Sequence, residues 1–213
     1  MFYTHRSGNI IPSLFPRFVW KKPTEDKIIY LTFDDGPIPE VTDFVLNQLA
    51  MYQAKATFFC VGENIAKYPT IFARILADGH RVGNHTHTHL NGWQQKDELY
   101  LSDIAICQTE IDKQCKQGED KQKKIFRPPY GKISIAQADT LLENYEIIMW
   151  TVLSGDFDTT LNPVDCLEKT IYCTEKGAII VFHDSVKAAN TLQYVLPKYL
   201  DFFANKGFRF ESL

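Results

Sequence analysis

A parallel α/β fold is what this sequence predicts, and three observations predict it. Short apolar runs of strand length alternate along the chain with stretches whose apolar residues recur at helical spacing. Alternation on that spacing favours parallel strands joined by crossover helices. The clusters of polar, chemistry-bearing residues fall at the carboxyl ends of the predicted strands, where such folds gather their sites.

The elements follow in order. Residues 1–26 carry Pro12, Pro16 and Pro23 together with Leu14, Phe15, Phe18, Val19 and Trp20, which predicts an N-terminal extension packing on the body. The body, 27–213, opens with a buried strand over Ile28 to Phe33, ended by the turn residues Asp35-Gly36-Pro37. Val41, Phe44, Val45, Leu49 and Tyr52 then mark a helix. A strand over Ala56 to Val61 precedes a helix with Tyr68, Ile71, Phe72, Ile75 and Leu76 on one face, closed by Gly79. A short strand near Arg81 to Asn84 leads to a longer helix marked by Leu101, Ile104, Ala105, Gln108, Ile111 and Cys115. Residues 116–124 read as a solvated, Lys-rich loop. Ile125-Phe126 leads into Arg127-Pro128-Pro129-Tyr130-Gly131, which no helix tolerates. A helix near 134–144, a strand near Glu146 to Val152, and a helix capped by Asn162-Pro163 follow. A strand over Ala178 to Phe182, a helix from Ala189 to Asn205 and the terminal Phe208-Arg209-Phe210 complete the chain.

Composition narrows the function classes. At 213 residues, with 45% apolar and 23% charged residues, the chain can bury a core and is not disordered. A net charge of −3 lacks the basic footprint that nucleic acids or anionic membrane surfaces call for, so neither is expected as a partner. No apolar run reaches the roughly 18 residues of a membrane span. The N-terminus lacks the layout of a secretory signal. Five cysteines without C-x-x-C spacing argue against a disulfide framework or a zinc ribbon. Together these features favour a reducing, cytoplasmic location, with export left open.

Five constellations carry chemistry. Asp34 and Asp35 leave a buried strand at its carboxyl end, where one carboxylate can bind a metal while the other takes a proton; the alternative is an ordinary Asp-Gly-Pro turn. His85, His87 and His89 crowd five residues. On an extended strand, residues four apart stand about 13 Å from each other, too far to share an ion easily. If the chain turns, His85 and His89 become the pair and His87 points elsewhere; if it stays extended, neighbours two apart compete. Arg127 can hold a carboxylate bidentately, and the Tyr130 backbone N–H can serve an oxyanion. Trp150 to Asp158 runs off a strand and delivers Asp156 and Asp158 to one face. His183 ends a buried strand in the same topological place as Asp34.

In this order, the segments Thr32-Phe33-Asp34-Asp35-Gly36, His85-Thr86-His87-Thr88-His89, Arg127-Pro128-Pro129-Tyr130-Gly131, Trp150 to Asp158 and Ile180 to His183 resemble the polysaccharide deacetylase family, the NodB-homology domain of carbohydrate esterase family 4. The match spans about residues 27–184. The resemblance implies a distorted (β/α) barrel with about seven parallel strands. It implies a metal-dependent hydrolase that removes an N-acetyl group from a sugar and releases acetate. Asp35, His85 and His89 take the metal, most simply Zn²⁺, although other divalent ions suit the same set. The same resemblance implies that Asp34 is the general base, oriented by Arg127, that His183 is the general acid, tuned by Asp156, and that Tyr130, Phe157 and Trp150 face the substrate. Two positions depart from the family pattern: Phe157 stands where Trp is usual, and Leu153 where an acidic residue often opens the motif. Other C–N or ester bonds on the same barrel, and non-catalytic carbohydrate binding, are the competing readings. Retention of Asp34, Asp35, both flanking histidines, Arg127 and His183 speaks against the last.

Overall fold

The computed structural model describes residues 4–8, 10–115 and 123–213. Most of the Lys-rich stretch expected at 116–124 therefore lies outside the described residues. The elements in chain order are α1 (Ile10–Leu14), β1 (Ile28–Asp34), α2 (Val41–Met51), β2 (Thr57–Cys60), α3 (Gly62–Lys67), α4 (Pro69–Ala77), β3 (Arg81–Asn84) and α5 (Asp97–Gln114). They continue with β4 (Lys124–Phe126), α6 (Ile135–Leu141), β5 (Tyr145–Ile147), β6 (Val152–Leu153), α7 (Pro163–Cys173), β7 (Ile179–His183), α8 (Ala189–Asn205) and β8 (Arg209–Glu211).

The alternation expected from sequence is the alternation observed, with local differences. The single helix expected around Tyr68 to Leu76 begins only at Pro69, which occupies its first turn, and a separate α3 precedes it. The strand expected over 146–152 is split into β5 and β6 by an irregular segment. The closing Phe208-Arg209-Phe210 joins the sheet as part of β8, paired with the start of β1.

All ladders between named strands are parallel, in the order β5-β4-β3-β2-β1-β7-β6. β5 and β6 lie at opposite ends of this seven-strand path yet follow each other closely in the chain. The sheet must therefore curl until its ends approach, which makes the architecture a partial barrel. The N-terminal segment runs along this seam. Val19 donates to the Ile147 carbonyl and accepts from the Met149 N–H, while Leu153 donates to the His5 carbonyl. The unpaired rims of β5 and β6 are thereby covered, as an exposed sheet edge requires.

The core explains the strand pattern. β1 is buried along nearly its whole length because sheet and helices cover both faces. Phe33 stacks between Phe58 and Phe182, at ring separations of 5.1 and 6.0 Å. Each such fully buried ring contributes about 1.5–3 kcal/mol relative to exposure. The central register then places the chemistry. In the β1–β7 ladder Asp34 stands opposite His183, and in the β3–β4 ladder Asn84 stands opposite Phe126. The residues that follow, His85 and Arg127, therefore leave adjacent strand ends side by side.

Candidate active site

The site is built from the loops after β1, β3, β4, β6 and β7. Asp34, the last residue of β1, is 4% exposed and pairs with a fully buried arginine. Arg127 Nη1 donates to Asp34 Oδ1 at 2.7 Å and to Thr32 Oγ1 at 2.6 Å. Its remaining donors go to the Ile148 carbonyl at 3.2 Å and the Met149 carbonyl at 2.9 Å, and its plane lies 4.1 Å from the Phe59 ring centroid. The guanidinium thus engages a single carboxylate oxygen. The bidentate pairing expected from sequence does not form, because the irregular segment after β5 presents two carbonyls that take the other donors. A buried arginine without such partners would be strongly destabilising.

Asp35 leaves the strand with φ of 85°, a backbone conformation that turns its side chain away from that of Asp34. Asn64 donates to its carbonyl at 2.7 Å. Its Oδ1 lies 3.1 Å from His89 Nε2 and 3.7 Å from His85 Nε2. One ligand atom each from Asp35, His85 and His89 fall within 4.8 Å of one another. The histidine segment is not helical. It turns through left-handed backbone at Thr86 (φ 64°) and His89 (φ 57°), which brings the two imidazoles to a ring separation of 5.1 Å.

The donor set fits a divalent ion. His85 Nδ1 lies 2.7 Å from the Arg127 carbonyl, which fixes its N–H there and leaves the Nε2 lone pair facing Asp35. Burial pushes the His85 pKa down to about 4, against the charge of Asp34, so the ring is neutral as a ligand must be. For Asp35, burial works against ionisation. The His89 hydrogen bond and the positive charge of His183 outweigh it and hold the carboxyl well below its ordinary range. His89 Nδ1 meets the Tyr130 hydroxyl at 3.1 Å. His87 lies outside the triad, and its Nδ1 is packed against Gly62, where a Cβ would stand only 2.4 Å away.

On the other side of Asp34, His183 ends β7. Its Nδ1 lies 2.7 Å from Asp156 Oδ1, and its backbone N–H donates to Asp156 Oδ2 at 2.8 Å. Asp156 is fully buried and also accepts from Ser154 Oγ at 2.9 Å. Burial alone would lower the His183 pKa. The charge and hydrogen bond of Asp156, with Asp35 and Asp34 behind them, raise it to about 9. Phe157 packs edge-on against His183 with centroids 5.0 Å apart. Tyr130, at φ 60°, is exposed and stands edge-on to His89 at 4.8 Å. Trp150 is half-buried beneath this loop, where a Cβ on Gly131 would come within 2.7 Å of its ring. It supports Gly131 from below, while Tyr130 and Phe157 border the opening. Asp158 caps its own turn through Thr160.

Two buried carboxylates that brace the site escape sequence reasoning. Asp103, on α5, accepts the His87 and Thr88 N–H groups at 2.6 and 3.0 Å and the Thr88 hydroxyl at 2.9 Å, so it clamps the histidine turn. Nothing in the sequence marks it, since it lies far downstream on a different element. Asp184 is fully buried, accepts from the Gly36 N–H at 3.0 Å, and meets the Thr42 hydroxyl at 2.6 Å. Burial pushes its pKa up to about 8, against the Thr42 hydrogen bond. It ties the turn that carries Asp35 to the end of β7, and a side chain at residue 36 would collide with it. Its place directly after His183 was the available signal.

Residues 21–146 match the Polysaccharide deacetylase family. The chain belongs to the polysaccharide deacetylase family. A peptidoglycan-N-acetylglucosamine deacetylase of Bacillus cereus is 33% identical over 196 residues, covering 91% of this chain and 90% of that protein. A chitooligosaccharide deacetylase of Azorhizobium caulinodans is 32% identical over 157 residues, covering 73% of each chain. Among solved structures, the Bc1960 peptidoglycan N-acetylglucosamine deacetylase superposes with a TM-score of 0.86 at 28% identity, covering 95% of this chain and 94% of that one. The chain is thus a carbohydrate deacetylase, a hydrolase with an Asp-His-His candidate metal site on a partial barrel of seven parallel strands.

Proposed function

We propose that this deacetylase removes the acetyl group from N-acetylated hexosamine units of a peptidoglycan-type glycan, with Zn²⁺ as its ion. The carrying observation is the Asp35-His85-His89 cluster flanked by Asp34–Arg127 on one side and His183–Asp156 on the other. When held by Asp35, His85 and His89, the ion supplies Lewis-acid stabilisation at the acetamido carbonyl and a more acidic attacking water. Asp34 accepts the proton of that water through Oδ2, since Oδ1 is engaged by Arg127. The water oxygen adds to the acetyl carbon, and the Tyr130 backbone N–H supports the oxyanion that develops. His183, protonated up to about pH 9, gives its Nε2 proton to the nitrogen as the C–N bond breaks. Acetic acid, which gives up its proton to solvent as acetate, and a free amine leave, Asp34 having gained a proton and His183 having lost one; exchange with solvent restores both.

Sugar preference is supported by the names of the similar proteins, a peptidoglycan and a chitooligosaccharide deacetylase. Phe157 favours a second reading at the level of substrate, because a smaller ring beside His183 admits a differently shaped amide or ester than Trp would. The test is acetate release from N-acetylglucosamine oligomers and peptidoglycan fragments, with Zn²⁺, with chelator, and with Asp34→Asn. Release that needs both the ion and Asp34 is the expected result. A metal-loaded protein that releases acetate from none of them overturns the sugar assignment and moves the search to other amides and esters.

A further inference from the structure

We propose that Trp93 is the stacking platform of a distal sugar subsite, so that this enzyme acts on glycan chains in preference to a single sugar; the proposal rests on the deacetylase reading above. Trp93 is 67% exposed, yet it is held from several directions. Its backbone N–H donates to Asn91 Oδ1 at 3.1 Å, and its indole N–H donates to the Ile133 carbonyl at 2.9 Å. The preceding carbonyl, that of Gly92, accepts from Gln137 Nε2 at 2.9 Å. Gly92 itself is wedged so tightly that a Cβ would lie 2.7 Å from both Gln137 Oε1 and the Lys132 carbonyl. The Lys132 ammonium sits 5.4 Å from the ring centroid.

An exposed tryptophan gains little from burial and ordinarily keeps its rotamer freedom. One that is fixed and still uncovered offers a rigid apolar face whose ordering entropy is already lost, which is the arrangement that favours ligand contact. The apolar C–H face of a pyranose matches such a ring, and its rim hydroxyls or a pendant carboxylate match the Lys132 ammonium.

Position gives the subsite its role. Trp93 follows His89 by four residues, so their Cα atoms are separated by at most about 15 Å. Both lie on the loop after β3, and the loop after β4 carries Tyr130 against His89 and Lys132 against Trp93. Tyr130, 56% exposed, stands against His89 on the loop that also carries Lys132. In the proposed subsite, a unit next to the reacting sugar, rather than the reacting sugar itself, lies on Trp93. Binding energy from such a remote unit lowers the barrier for the reacting one.

The test compares wild type, Trp93→Ala and Trp93→Phe, all loaded with Zn²⁺, on N-acetylglucosamine oligomers of two to six units. In Trp93→Ala the loss of kcat/KM is expected to grow with chain length, reaching about tenfold more on the hexamer than on the dimer. Trp93→Phe should recover most of it, and oligomer binding should shift tryptophan emission in wild type but not in Trp93→Phe. A loss independent of chain length, or emission that responds equally without Trp93, overturns the subsite. Should Trp93→Ala fold poorly, the Phe variant and the emission titration still decide. Should wild type release no acetate, the deacetylase reading fails separately, and the emission titration still tests Trp93.

Discussion

The two halves of the catalytic cleft solve the same problem with opposite charges. On one side a buried cation, Arg127, holds a carboxylate, Asp34, at the rim of the cleft; on the other a buried anion, Asp156, holds an imidazole, His183. Both working groups end neighbouring strands and stand opposite each other in the β1–β7 register. In the proposed mechanism, the polarity of the buried partner, rather than the position on the sheet, sets which group serves as base and which as acid.

The largest break in that comparison is expected from the working groups themselves. Asp34→Asn and His183→Ala should each lower kcat for acetate release by about 10²–10⁴-fold, the usual range for a lost acid or base. Circular dichroism should remain that of wild type for His183→Ala. Next is Arg127→Met. It strands the Asp34 carboxylate and three further acceptors in the interior, and should destabilise the fold by about 3–5 kcal/mol in urea titrations. Asp156→Asn attacks the other half more gently. Asp156 supplies the main upward pull on His183, so the alkaline limb of kcat/KM should move from about pH 9 toward acid, the protonated form being lost earlier as pH rises. An unmoved limb would separate His183 from the acid role.

Smaller effects sharpen the contrast. Tyr130→Phe removes the hydroxyl beside His89 Nδ1 and should weaken Zn²⁺ binding by about tenfold in a competition titration. His80 is the counter-example to His183. It is buried, and there burial dominates and lowers its pKa to about 4 from 6.5. The unfolded chain therefore binds this proton first. The stability associated with neutral His80 is complete above about pH 6.5 and is lost as pH falls toward about 4. Urea unfolding over that range should show the decline, and His80→Gln should flatten it. One histidine is raised and the other lowered because only His183 has a buried carboxylate in direct hydrogen-bond contact.

Much of this was legible in the chain. Apolar runs such as Ile28 to Phe33 and Ala178 to Phe182 specify strands because a doubly covered strand has no polar face to alternate with. Asn162-Pro163 starts α7 through its cap, with Asn162 Oδ1 accepting the Val164 N–H at 2.8 Å. The residue pairs Asp34–Arg127 and Asp156–His183 were readable through family resemblance, since those motifs keep residue type and order. Other features depend on distance through space. Sequence could say that His85 and His89 would meet if the chain turned, but the turn is made by Asp103 from another helix, by the Asn84 side chain at the end of β3 and by two left-handed residues. Spacing alone could not disclose the monodentate grip of Arg127, the hold of Asp184 on the Asp35 turn, or the N-terminal segment along the β5–β6 seam. The sequence by itself determined which groups this protein owns and in what order the strands deliver them, because periodicity and motif are local. Only the tertiary structure decided how those groups are aimed, because each aim depends on a hydrogen bond or a packed wall contributed by residues far away in the chain.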